Sequence, residues 1–166
     1  MRRELPKTFW LLTCTVLIAG NVTVYKTILP HHELKVTVME VGSPEKGGRA
    51  VLMQSPIGKT LLIDTGPDAS ILRALGESLP IWQKNIDAVI LTSSAARSTG
   101  GLPAVQSRYR ISKIVPIGNI STPYGSSFVF DNSTVTILAP AVVTISSDSS
   151  VFQISSSTPA EKYIFK

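Results

Sequence analysis

From Leu34 to Val41 apolar and polar residues alternate, the period of a strand buried on one face. Ala50 to Gln54 and Thr60 to Asp64 continue as a second and third strand, with the runs Gly42 to Gly48 and Ser55 to Lys59 as turns by composition. Such short connections predict an antiparallel meander. Behind Asp68, the residues Ile71, Leu72, Leu75 and Leu79 share one helical face, so a helix is predicted with Asp68 as its N-cap and Pro80 closing it. Ile86 to Leu91 is short and nearly all apolar, the signature of a strand covered on both faces. A second helix is predicted from Gly101 to about Tyr109, with Pro103 tolerated in its first turn, and Ser112 to Val115 follows as a strand. Further strands are predicted at Phe128 to Phe130, Thr134 to Leu138, Ser150 to Ile154 and Tyr163 to Phe165, with the Ser-rich piece Ser146 to Ser150 as a loop. Strand, helix, strand, helix, strand is α/β patterning.

The strongest apolar block lies before all of this, at residues 9–29. Phe9 to Tyr25 holds no charge over 17 residues, the lower end of what spans a bilayer. Arg2, Arg3 and Lys7 precede it, and Trp10 and Tyr25 stand where interfacial aromatics are expected. A cleaved signal peptide needs small residues at −3 and −1, and the best site, Ala19-Gly20-Asn21, places Leu17 or Ile18 at −3. A buried soluble helix is rarely apolar all round and directly preceded by an Arg pair. The expected organisation is therefore a basic cytoplasmic N-terminus (1–8), a single membrane anchor (9–29), a linker (30–33) and an extracytoplasmic domain (34–166).

Charge changes that picture little. The chain of 166 residues has a net charge of +5. Arg2, Arg3, Lys7 and Lys26 against Glu4 leave +3 in the first 32 residues, so the domain carries +2 and the basic balance is chiefly a topology signal. The single cysteine, Cys14, lies in the apolar block and excludes an intrachain disulfide. His31 and His32 are the only histidines, and two neighbouring imidazoles without a third ligand do not make a metal site. Residues 33–166 thus contain neither His nor Cys, which excludes a zinc or di-iron centre of the imidazole or thiolate type.

The pieces Val36 to Val41, Ala50 to Met53, Ser55 to Lys59, Leu61 to Pro67, Leu79-Pro80-Ile81-Trp82 and Ile86 to Thr92, in this order and spacing, resemble the metallo-β-lactamase superfamily. The nearer likeness is to the soluble domain of ComEC-type DNA-uptake proteins, over about residues 34–140. The resemblance implies an α/β fold, a partial αββα sandwich, which would stand behind the one N-terminal transmembrane helix expected from residues 9–29. Family members follow the last of those strands with His-x-His-x-Asp-His and Gly-Gly-Leu, which hold two metal ions, usually zinc or manganese, that activate a water. Here Ser93 and Ala95 stand at the first two His positions, Arg97 at the Asp position and Ser98 at the last His, before Gly100-Gly101-Leu102. Ala has no donor atom and Arg brings positive charge where a cation would sit, so no bound metal is expected. The later ligands of the family have no counterpart up to Lys166. Asp64 matches the family's strand-end Asp, and its expected role is to cap the turn that follows.

The residues themselves offer other candidate chemistry. Asp64 and Asp68 bracket a turn and are candidates for a proton-sharing or Mg²⁺-binding pair, against the plainer roles of turn and cap. Ser93, Ser94 and Ser98 are candidate nucleophiles, but no His stands in the domain and no Lys stands nearby to activate them. Arg97, Arg108, Arg110 and Lys113 are candidate contacts for a nucleic-acid backbone, against a merely solvated surface. The expectation is a non-catalytic, membrane-anchored domain that acts by binding or as a structural element, with itself or another membrane protein as partner. The alternative is a metal-dependent hydrolase or nuclease linked to DNA uptake, with ligands supplied unconventionally or by a partner.

Overall fold

The computed structural model describes residue 10 and residues 13–15, 33–43, 47–119, 121–147, 150–155 and 157–165. Contacts divide the chain into two units, Met1–His31 and His32–Lys166. In the first unit Trp10 and residues 13–15 are helical and exposed, and nearly all of the expected anchor at 9–29 lies outside the described residues. Among the described residues no helix is long and apolar enough to cross a membrane.

The second unit opens with the meander that alternation predicts. Strands β1 (Leu34–Val41), β2 (Gly48–Gln54) and β3 (Thr60–Ile63) pair antiparallel in sequence. From β3 the chain crosses through helix α1 (Ile71–Ser78) to β4 (Asn85–Leu91), parallel to β3. It then passes through a single turn, α2 (Ala96–Thr99), and helix α3 (Leu102–Arg108) to β5 (Arg110–Pro116), parallel to β4. The last strand, β10 (Lys162–Phe165), returns to the far edge and pairs antiparallel with β1, which gives a six-stranded sheet ordered β10-β1-β2-β3-β4-β5. Between β5 and β10, strands β6 (Ser127–Phe130), β7 (Ser133–Ala139), β8 (Val142–Ser147) and β9 (Ser150–Ile154) form a separate antiparallel sheet.

Side-chain period decides what each face of the large sheet meets. Val36, Val38, Val51, Met53, Leu61, Ile63 and Ile90 point toward the small sheet and bury against Phe130, Val135, Ile137, Val143, Ile145 and Ile154. On the opposite face Val41, Ala50, Leu52, Leu62, Val89 and Leu91 bury under Ile71, Leu75, Leu79, Val105 and Tyr109. The ring of Phe152 on β9 packs tilted against Tyr163 (centroids 4.6 Å apart) and Phe165 (5.4 Å) on β10, closing the edge between the sheets.

The described residues of this unit form three layers, α/β/β. Two expectations are corrected. Ser146 and Ser147 lie in β8 and Ser150 in β9, where Ser147 pairs with Ser150, so these serines stand in strands rather than in a loop. Asp68 does not occupy the N-cap of α1. Its carboxylate accepts the Ser70 amide two residues on (2.9 Å), an Asx-type turn, and the helix starts at Ile71.

The parallel strands give the sheet two distinct ends. At the base stand the starts of β1, β3, β4 and β5 and the β2–β3 turn, as the pairs Lys35 with Gln54, Gln54 with Thr60, Leu61 with Ala88 and Asn85 with Arg110 require. At the crest β3, β4 and β5 end and β2 begins.

Candidate functional site

In sheets with parallel strands, binding sites form beyond the carboxyl ends of the strands. At the crest, β3 ends on Asp64, whose backbone is left-handed (φ 58°). Its amide donates to the Ile90 carbonyl (2.8 Å), which holds the chain against β4 while the carboxylate turns inward. Oδ1 accepts the Thr92 amide (2.8 Å) and Oδ2 accepts the Thr92 hydroxyl (2.6 Å). The Ser98 side chain adds a third hydrogen bond. Asp64 is buried, and burial pushes its carboxyl up to about 6, against which the bonds from Thr92 and Ser98 pull down. Asp64 therefore does not cap its own turn, as the sequence suggested, but crosses to the end of the next strand.

Thr92 is the hub that sequence reasoning missed. Its hydroxyl donates to Asp64 and accepts the Ala141 amide from the β7–β8 turn (3.1 Å), and its carbonyl accepts the Tyr124 hydroxyl (2.9 Å). One buried threonine thus ties β3 and β4 to the β5–β6 connection and the β7–β8 turn. The residue type carries no distinguishing signal, because a Thr after an apolar strand is ordinary.

The loop 93–101 closes over this point by backbone contact. The Ser98 carbonyl accepts both the amide and the hydroxyl of Thr65 (2.8 and 3.0 Å), and the Gly101 amide donates to the Gly66 carbonyl (2.9 Å). A Cβ at Gly100 would run into the Pro67 carbonyl, and one at Gly101 into the Thr65 carbonyl, so the Gly-Gly pair is required by close approach. Gly48 at the start of β2 is similarly pressed, 2.6 Å from Pro67 Cδ and 2.8 Å from the Arg97 carbonyl for an added Cβ.

Each residue singled out in the sequence has a definite place here. Ser93 is half-buried and its hydroxyl accepts the Ala95 amide (3.1 Å). Ser94 and Arg97 are exposed, and Ser98 is buried with its hydroxyl on Asp64. Ser98 has no base beyond that carboxylate and no open approach, so the site lacks an activated nucleophile. Asp64 and Asp68 are engaged separately, one buried on Thr92 and the other exposed on the Ser70 amide. The donor set does not fit a pair of metal ions. Ala95 offers no donor, Arg97 is cationic, the Ser93 and Ser98 hydroxyls are neutral, and among the described residues no three His, Cys, Asp or Glu side chains gather.

The basic residues do not share a surface with one another at this end. Arg97 lies on α2 at the crest, whereas Arg108 ends α3 and Arg110 begins β5 at the base. The seven residues of β4 between them span roughly 20 Å. Lys113 lies part-way along the edge strand β5.

No protein-family profile and no curated protein matches the chain. Among solved structures it is similar to a Cronobacter sakazakii metallo-β-lactamase with a HARLDQ motif, at 15% identity over 83% of this chain and 68% of that one (TM-score 0.49). A motif mutant of the Cronobacter sakazakii protein aligns at 16% identity over 70% of this chain, which spans 60% of the length of that one (TM-score 0.48). A metallo-β-lactamase from Hirschia baltica aligns at 15% identity over 70% and 63% (TM-score 0.40).

Proposed function

We propose that this chain is a membrane-anchored, metallo-β-lactamase-like domain of the ComEC type that acts by binding rather than by hydrolysis. The observation that carries the reading is the state of the crest. The loop that would hold metal ligands offers Ser93, Ala95, Arg97 and Ser98, and the one buried carboxylate nearby, Asp64, has its acceptors taken by Thr92 and Ser98. A catalytic site keeps at least one ligand position open to substrate, and this network instead ties strand ends together. The order of strands and crossovers from β1 to β5 supports the fold half of the reading. The apolar, charge-free run Phe9 to Tyr25 behind Arg2, Arg3 and Lys7 supports an anchor with its N-terminus in the cytoplasm and the domain outside. The wide separation of Arg97 from Arg108 and Arg110 speaks against a single nucleic-acid track, which needs a dense patch.

The test is metal analysis by mass spectrometry on the full chain, purified in detergent, loaded with Mn²⁺ and Zn²⁺ and desalted. The expected result is no stoichiometric metal. One or two ions held per chain would overturn the binding reading in favour of a metal-dependent hydrolase.

A further inference from the structure

The base of the large sheet carries a cluster that the crest does not explain. The β2–β3 turn presents Ile57, which is 61% exposed, and the loop between α1 and β4 presents Ile81 and Trp82, which are 80% and 73% exposed. Both loops lie at this end. Gln83 Nε2 donates to the Thr60 hydroxyl (3.4 Å) and to the Asn85 carbonyl (2.9 Å), which holds the Ile81-Trp82 loop beside the start of β3. An isolated exposed apolar residue is ordinary. Three large ones, two of them adjacent and one a tryptophan, on neighbouring loop tips are not. The other strongly exposed apolar residues described in this unit behave differently: Val129 and Val151 sit on strands of the small sheet beside Ser, Thr and Gln neighbours.

Cations surround this tip. Lys59 follows Ile57 in the same turn, Lys84 follows Trp82, Arg110 donates its amide to the Lys84 carbonyl (2.8 Å), and Arg108 ends α3 just before it, all four exposed. The acidic groups at this end are Glu33, Glu77 and Asp87, and Asp87 Oδ2 accepts the Thr60 amide (2.7 Å). Trp and Ile tips ringed by Lys and Arg match the chemistry of an anionic bilayer interface, where the indole lies at headgroup depth and the cations meet lipid phosphates.

Chain connectivity points the same way. β1 starts at the base, and four residues, 30–33, separate it from the apolar run. Extended, they cover at most about 14 Å. A domain whose first strand begins that near a membrane exit presents its base, not its crest, to the bilayer.

We infer that the base of the domain docks on the bilayer surface, with Ile57, Ile81 and Trp82 inserted at headgroup depth and Lys59, Lys84, Arg108 and Arg110 on anionic lipid phosphates. The inference rests on the membrane-anchored reading above, and the chain's two tryptophans separate the two claims. Full-length W10F leaves Trp82 as the sole indole, and full-length W82F leaves Trp10. Each is reconstituted into vesicles of phosphatidylcholine and phosphatidylglycerol containing lipids brominated near the glycerol backbone or deep in the chain.

Docking predicts that Trp82 emission shifts to shorter wavelength and is quenched by the shallow bromines, with less quenching when phosphatidylglycerol is omitted. Trp82 emission at solvent wavelength, with Trp10 quenched, would overturn the docking and leave the anchor standing. A blue-shifted Trp82 that no brominated lipid quenches would also overturn it, in favour of burial against a second protein copy. Quenching of neither indole would remove the anchor and the docking together.

Discussion

The crest and the base of the large sheet are two ends of the same parallel strands, yet their loops meet water in opposite ways. At the crest the polar groups are turned inward: Asp64 is sealed by Thr92 and Ser98, and two glycines let the loop 93–101 lie backbone to backbone on the turn after β3. At the base apolar groups are turned outward, with Ile57, Ile81 and Trp82 exposed. In a parallel sheet the crest is the usual place for ligands. Here it works as an internal clasp, while Ile57, Ile81 and Trp82 stand exposed at the other end. Where the ordinary ligand end of a fold is closed by its own bonds, exposed and unexplained side chains elsewhere become the better guide to function.

The sharpest way to break this comparison is to disturb the clasp. Gly101→Ala drives a methyl into the Thr65 carbonyl, a backbone atom that cannot rotate away. Overpacking of this kind costs about 3 kcal/mol or more, so chemical denaturation should show a loss of that size. A stable Gly101→Ala variant would mean that the loop stands off the β3 turn.

Next in size is the pH dependence set by Asp64. Its carboxyl stands at about 6 in the folded protein against 3.8 unfolded, so the native state holds the proton more tightly than the unfolded chain. The contribution is therefore fully present below pH 4, falls as pH rises toward 6 and is flat above it. The span corresponds to about 3 kcal/mol. Asp64→Asn removes this slope, so the stability difference between variant and parent should move in the variant's favour between pH 4 and 7. Parallel curves across that window would show that Asp64 is hydrated rather than buried.

Thr92→Val tests the hub and should cost about 2 kcal/mol, because it leaves Asp64 Oδ2 and the Ala141 amide each one partner short. It should also move the Asp64 carboxyl further up, since the lost hydroxyl bond was pulling it down. The double variant with Asp64→Asn should cost less than the sum of the singles, because both changes remove the same bond.

The clasp was only half legible in the sequence. The period-two and helical patterns identify β1 to β4, α1 and α3, since each buries a face against a neighbour close in the chain. Asp64 stood out at a strand end, but its partners Thr92 and Ser98, and Thr92's own partners Tyr124 and Ala141, are brought together only by tertiary packing. The strand β8 was hidden because its turn uses Ala141 in the left-handed region (φ 58°) with no Gly or Asn to mark it. The pairing of Tyr163 with Val36 was equally out of reach, because a strand pattern names no partner so far along the chain. Ile81 and Trp82 were visible as part of a recurring motif. Adjacent large apolar residues read as core by composition, and only their exposure in the fold gives them another meaning.

The smallest expected effect falls at the base. With Ile81 and Trp82 80% and 73% exposed, Ile81→Ser and Trp82→Ser remove little buried surface. Each should leave unfolding free energy within about 0.5 kcal/mol of the parent, the range for surface changes away from caps, cavities and networks. Their consequence should instead appear as weaker contact of the domain with anionic vesicles, if the base docks as inferred, since the folded state makes little use of these side chains. A loss above about 1 kcal/mol from Trp82→Ser would place the indole among the contacts that hold the domain together. The base would then be a second clasp, and the contrast between the two ends of the sheet would fall with it.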